Sequence, residues 1–145
     1  MRILAVKPGV DEITMAIVSG DRKTPNLESV NKEVYKIPQS ADPSKCLVEI
    51  VQEFKSIIKE RKIEEVHVVK ATKPTKGSLS PERVKNEAAI QFASTEQGVP
   101  VKLIAPQSIR AAEKKENETV DSIFDHKFKS KDKREVAFLG LIGLP

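Results

Sequence analysis

Apolar positions along the chain switch several times between short strand-like runs and a three-to-four-residue repeat, and that alternation predicts an α/β sandwich around a partly parallel sheet. Residues 3–6 and 13–18 are short apolar runs joined by Pro8-Gly9-Val10-Asp11. Those turn residues leave too little chain for a crossover helix, so an antiparallel hairpin is expected at the N-terminus. Residues 20–28 are polar and turn-rich, and residues 30–37 mix Val30, Val34, Tyr35 and Ile37 with charges, as an exposed edge strand would.

Asp42-Pro43 is a helix start with a mechanism, because the carboxylate accepts from free backbone N–H groups where proline needs none. Leu47, Ile50, Val51, Phe54, Ile57 and Ile58 follow on one face. Residues 66–69, Val-His-Val-Val, have the branched apolar character of a parallel strand covered on both sides. A basic loop over 71–79 leads to Ser80-Pro81, a second cap-then-proline start, and a helix through Val84, Ala88, Phe92 and Ala93 that stops at Gly98. Residues 101–104 predict another strand and 106–113 a brief helix. Residues 114–133 are charge-dense and predict a loop with a helical turn or two. Asp132-Lys133-Arg134-Glu135 then has the form of a capping box opening an apolar helix over 136–142.

The chain has 145 residues, which fits one domain over 1–145, and is large enough to bury a core without disulfides or metal. One cysteine, Cys46, excludes an internal disulfide framework and a Cys-rich zinc site, and suits a reducing, cytoplasmic setting. The opening apolar run is too short for a signal peptide and is broken by Lys7 and Pro8; no run approaches the length that spans a bilayer, so no membrane role is expected. A formal net charge of +4 mildly favours anionic partners.

The order of hairpin, third strand, helix, parallel strand, helix, strand and C-terminal helix resembles the RNase H-like superfamily. Ile3-Leu4-Ala5-Val6-Lys7-Pro8-Gly9 is similar to the first-strand motif of RuvC-type resolvases, in which an acidic residue stands where this chain has Lys7. Residues 66–70 resemble the strand that in active members ends in a glutamate, here Lys70. Lys76-Gly77, the segment Lys85-Asn86-Glu87-Ala88-Ala89-Ile90-Gln91 and the closing Glu135-Val136-Ala137-Phe138 are similar to a small bacterial family of unknown function within that superfamily. The resemblance implies a three-layer sandwich on a mixed five-stranded sheet with an N-terminal antiparallel hairpin.

It also implies where chemistry would sit. Active members cut phosphodiesters with two divalent metals held by carboxylates, since Mg²⁺ needs hard anionic oxygens. Lysine has donors and no lone pair while charged, so Lys7 and Lys70 would repel such a metal. With Lys73 and Lys76 in the loop and Lys85 in the following helix, they form a one-signed cluster at the carboxyl edge of the sheet, where open α/β sheets bind ligands. The helix opening at Ser80 adds its positive dipole end, and Ser78 and Ser80 add hydroxyl donors. These five lysines are the expected anion-binding residues, with no catalytic residue, metal or cofactor assigned. The plainer reading is a solvated basic loop with no fixed ligand.

Competing readings stay open. A nuclease with a rearranged carboxylate site would draw on Asp132 and Glu135 with Asp11 or Glu12, although helix capping explains the first two equally well. A protein-interaction or homodimeric scaffold would use the edge strand and the final helix, 136–144. Lys127, Lys129, Lys131, Lys133 and Arg134, with Phe124 and Phe128 nearby, suggest a backbone track with stacking rings, but a solvated loop fits better at 4% aromatic content. His67, His126 and Cys46 lack partners at ligand or nucleophile spacing and read as structural. Lys76-Gly77-Ser78 lacks the upstream glycine of a P-loop.

Overall fold

A computed structural model describes residues 1–28, 33–39, 42–72 and 77–145. Strands β1 (Arg2–Pro8) and β2 (Glu12–Gly20) form the expected antiparallel hairpin, with Val6 opposite Met15 and Lys7 opposite Thr14. Strand β5 (Glu65–Val69) lies parallel to β1, and β6 (Val101–Ile104) parallel to β5. The far side of β2 is shared by two short antiparallel strands, β3 (Pro25–Glu28) against residues 17–20 and β4 (Val34–Lys36) against residues 12–14.

Among the described residues the sheet therefore carries six strands where the resemblance implies five. The additional one, β3, falls in the segment that reads as turn-rich, because its Pro-Asn-Leu-Glu offers no alternation and is specified by its partner instead. Residues 30–32 of the predicted edge strand lie outside the described residues.

Helices α1 (Pro43–Glu60) and α2 (Pro81–Glu96) cover one face of the sheet; α3 (Pro106–Lys114), α4 (Val120–Phe124) and α5 (Lys131–Gly143) cover the other. Alternation along β1 feeds both layers. Leu4 and Val6 pack with Ile50, Phe54 and Ile90, whereas Ile3 and Ala5 pack with Phe138 and Leu139. All four β1 residues are fully buried, which is why a central strand reads as a continuous apolar run. Asp42 caps α1 by accepting from Ser44 N at 3.0 Å, and Ser80 caps α2 by accepting from Arg83 N at 3.4 Å, both as the sequence predicts.

The helix through Val84, Ala88, Phe92 and Ala93 forms as expected, and its buried face is Asn86, Glu87, Ala89, Ile90, Ala93 and Ser94, with Val84 and Phe92 exposed, Phe92 by 55%. Three polar residues, Asn86, Glu87 and Ser94, hold inward positions that apolar spacing does not mark. Two expectations need correction. The last helix starts earlier than its apolar run, with Ser130 rather than Asp132 as its cap, accepting from Lys133 N at 3.2 Å. That helix is also no free docking face, since residues 136–141 are buried against β1 and β2. Gly140 and Gly143 allow this close approach: a Cβ on Gly140 would stand 2.6 Å from Val18 Cγ2, and one on Gly143 would meet the His67 ring.

Candidate functional site at the carboxyl edge of the sheet

Lys7 lies near the end of β1, on the α5 side that Ile3 and Ala5 share. Its Nζ donates to Asp132 Oδ1 at 2.8 Å and to Glu135 Oε2 at 3.1 Å. The two acids stand three residues apart in the first turns of α5 and so project together from one helix face. Asp132 is half exposed, but Glu135 retains only 16% of its side-chain exposure and Lys7 24%. Partial burial works against the Lys7 charge, yet hydrogen bonds to Asp132 and Glu135 outweigh it and hold the ammonium above its ordinary pKa of 10.5. Neither Asp132 nor Glu135 is the cap of α5, which is Ser130; both accept from Lys7 instead.

Lys70 follows β5 directly and is exposed, its backbone N–H donating to Ile104 O at 2.9 Å. Since Val6 lies beside Val68, Lys7 and Lys70 end neighbouring parallel strands at the same sheet edge, as expected. Lys85 is exposed in the second turn of α2, but it borders a different cleft, with Asp11, Glu82 and Asn86. Lys73 and Lys76 lie outside the described residues.

Two buried polar residues of α2 shape this edge. Asn86 Nδ2 donates to Gly9 O at 2.8 Å and Val10 O at 3.3 Å, fixing the hairpin turn. Glu87 Oε2 accepts from Ala71 N at 2.9 Å, fixing the chain just after Lys70. The Asn-Glu pair within 85–91 is therefore the clamp that holds the loops on either side of the β1 and β5 ends.

A cleft of about 510 Å³ opens beside Lys7, between the first turns of α2, α3 and α5. It gathers Arg83, Arg110 and Lys131 with Arg134 and Glu113 over a floor that includes Val69 and Ile109. Arg83 and Arg110 escape the sequence reading because an isolated arginine in a charged helix looks like any solvated side chain. The available signal is positional: both sit within the first turns of helices that leave the carboxyl ends of strands.

Two cations of the second basic stretch are paired. Arg134 donates to Asp121 Oδ1 at 2.9 Å and Lys133 Nζ lies 2.9 Å from Glu33 Oε2. Phe128 is buried in the α5-side core and packs edge-on against Phe124, which removes it as a stacking platform. Glu12 pairs with Lys36 at 2.9 Å, so it is not turned toward Asp132 and Glu135. Among the described residues no three His, Cys, Asp or Glu side chains are grouped as metal ligands. His67 Nε2 lies 2.8 Å from Glu65 Oε2, and Cys46 Sγ donates to Pro38 O at 3.1 Å, both structural contacts.

A family profile matches residues 1–139, and its description is "Protein of unknown function (DUF3010)". The chain belongs to this family. No match is found among curated proteins. Among solved structures, the chain is similar to Thermus thermophilus RuvC, with TM-score 0.79 at 16% identity, covering 97% of this chain and 92% of that one. RuvC of the same organism in complex with Holliday junction substrate gives TM-score 0.78 at 18% identity, over 97% and 90%. The yeast mitochondrial Holliday junction resolvase gives 0.58 at 12% identity, over 97% and 75%. At these identities the likeness shows the fold, and the fold is RNase H-like.

The two-metal chemistry that the resemblance implies does not fit the residues present. A divalent cation between Asp132 and Glu135 would compete with an ammonium already bonded to both. The second strand end supplies another lysine in place of a carboxylate.

Proposed function

We propose that this member of the family is a nuclease-fold domain that binds nucleic acid or a similar polyanion and does not cut it. One observation carries the reading: the Lys7 ammonium is held between Asp132 and Glu135, where it supplies the positive charge that a metal would otherwise bring. One of the two acid charges is thereby offset from within the fold. The exposed Lys70, the loop lysines Lys73 and Lys76, and Lys85 then leave the edge available to phosphates. A similar fold seated on a junction substrate supports nucleic acid as the polyanion. A cytoplasmic setting follows the same reading, and no helix among the described residues is long and apolar enough to cross a membrane.

Fluorescence anisotropy with labelled junction, duplex and single-stranded DNA and with RNA, at several salt concentrations, tests binding. Replacing Lys70, Lys76 and Lys85 with Gln should weaken affinity and lower the salt slope by up to about one for each phosphate no longer neutralised. Unchanged affinity and slope reject the surface. Incubation with Mg²⁺ or Mn²⁺ should leave the substrates intact; cleavage abolished by Asp132→Asn overturns the non-catalytic reading.

A further inference from the structure

We propose that the cleft between α2, α3 and α5 is a binding site for a phosphomonoester of nucleotide size, with Arg83 and Arg110 as its main phosphate ligands. The proposal rests on the reading above that this edge receives anions, but it names residues which that reading does not use. Charge compensation singles them out. Lys7 is satisfied by Asp132 and Glu135, and Arg134 is held by Asp121 through two contacts of 2.9 and 3.4 Å. Arg83, Arg110 and Lys131 line the same cleft and enter no ion pair among the described residues.

Arg83 carries the strongest sign. Its Nε is shut off from solvent and has no hydrogen-bond partner among the described residues. A donor of a permanently charged group left unpaired is costly, and a shift of the guanidinium toward the cleft would let a ligand oxygen satisfy it. Guanidinium groups present paired N–H donors in the plane that phosphate oxygens match. Three independent helix starts reinforce the field, since α2, α3 and α5 all begin beside the cleft. The cap position of α3, Ala105, offers no side-chain acceptor to its first turn. Thr72 adds a hydroxyl donor on the wall.

The ligand class follows from charge and volume. A phosphomonoester carries nearly two charges at neutral pH and three terminal oxygens, against one charge and two oxygens for a diester within a strand. It is thus the better match for three cations without partners. The cleft volume of about 510 Å³ far exceeds a bare phosphate and falls in the range of about 300–1,000 Å³ typical of small-molecule sites. Pro106, partly exposed at the start of α3, gives an attached group an apolar contact, and Glu113 gives a sugar hydroxyl an acceptor. Such a phosphate is found on a free nucleotide or on the end of a strand.

Calorimetric titration of the full chain with a nucleoside monophosphate, the parent nucleoside, and a short oligonucleotide with and without a 5′-phosphate separates these sources. The phosphorylated member of at least one pair should bind about tenfold or more tightly than its unphosphorylated partner, and Arg83→Gln or Arg110→Gln should abolish that difference. Lys59→Gln, exposed in the last turn of α1 and outside both the cleft and the proposed surface, should preserve it. A preference confined to the oligonucleotide identifies a strand end; tight binding of the monophosphate identifies a free nucleotide; either supports the site. If neither phosphate improves binding, or if folded Arg83→Gln and Arg110→Gln proteins retain the preference, the proposal fails. Oligonucleotides binding regardless of end chemistry would sink this site and leave the polyanion reading standing. Monophosphate binding without oligonucleotide binding would do the reverse.

Discussion

Replacing Lys7 with Met removes the ammonium between Asp132 and Glu135 and keeps most of the hydrocarbon stem. The structure sets the magnitude. Glu135 is only 16% exposed and loses its bonded cation, so the Lys7–Glu135 contact falls in the class of charge-assisted hydrogen bonds worth about 1.5–3 kcal/mol. Asp132 is 51% exposed, and its contact belongs with surface pairs worth about 0–1 kcal/mol. Lys7→Met should therefore cost about 1.5–4 kcal/mol, or a fall in Tm of about 5–12 °C for a chain of this size. Urea denaturation at neutral pH measures it. Adding Glu135→Gln to Lys7→Met should recover part of the loss, with a coupling above about 1 kcal/mol, and Asp132→Asn should couple more weakly. The native pKa of Lys7 is raised, so its contribution is present in full below 10.5 and is lost only as pH climbs through the higher native value. A loss below about 0.5 kcal/mol with no coupling to Glu135 would show that the pair holds nothing together.

Other parts of the structure give further expectations. Glu87→Ala leaves the buried Ala71 N–H without its 2.9 Å partner and should cost about 1–3 kcal/mol by urea denaturation. Hydrogen exchange should also quicken around Lys70. Gly140→Leu drives a side chain into Val18 and should destabilise by about 2–3 kcal/mol; a neutral result would show that α5 does not rest closely on β2. The Glu65 carboxyl is held below its ordinary 4.5 by the hydrogen bond from His67 and the charge of Lys102. Glu33 is lowered by Lys133, and for Glu28 the hydrogen bond from Arg2 outweighs burial. Stability from these groups is present above 4.5 and is lost as pH falls through their lower native values, so unfolding scans should show Tm dropping below that pH. Glu65→Gln should make the drop shallower.

Elements whose partners are written into their own residues were legible. Val66-His67-Val68-Val69 announces a strand covered on both sides, and Asp42-Pro43 and Ser80-Pro81 announce helix starts through local capping chemistry. Strand β3 was not legible because its pairing with β2 is a tertiary event that Pro-Asn-Leu-Glu does not encode. The inward face of α2 was not legible because Asn86 and Glu87 are buried to hold the backbone of distant loops, a purpose invisible to apolar counting. At the site, the substitution of lysine at the β1 end could be read from sequence, and so could the spacing of Asp132 and Glu135. That these three meet could not, since 125 positions separate Lys7 from Asp132 and only the packing of α5 on β1 closes the distance.

The central claim is that an ammonium stands in for the cation between Asp132 and Glu135. Calorimetric titration with Mn²⁺ at neutral pH, of the natural chain and of Lys7→Asp, tests it most directly. The natural chain should take up no Mn²⁺ at this pair, whereas Lys7→Asp, with three carboxylates at the β1 and α5 ends, should bind it and lose that binding on Asp132→Asn. Mn²⁺ uptake by the natural chain that disappears with Asp132→Asn or Glu135→Gln would contradict the account.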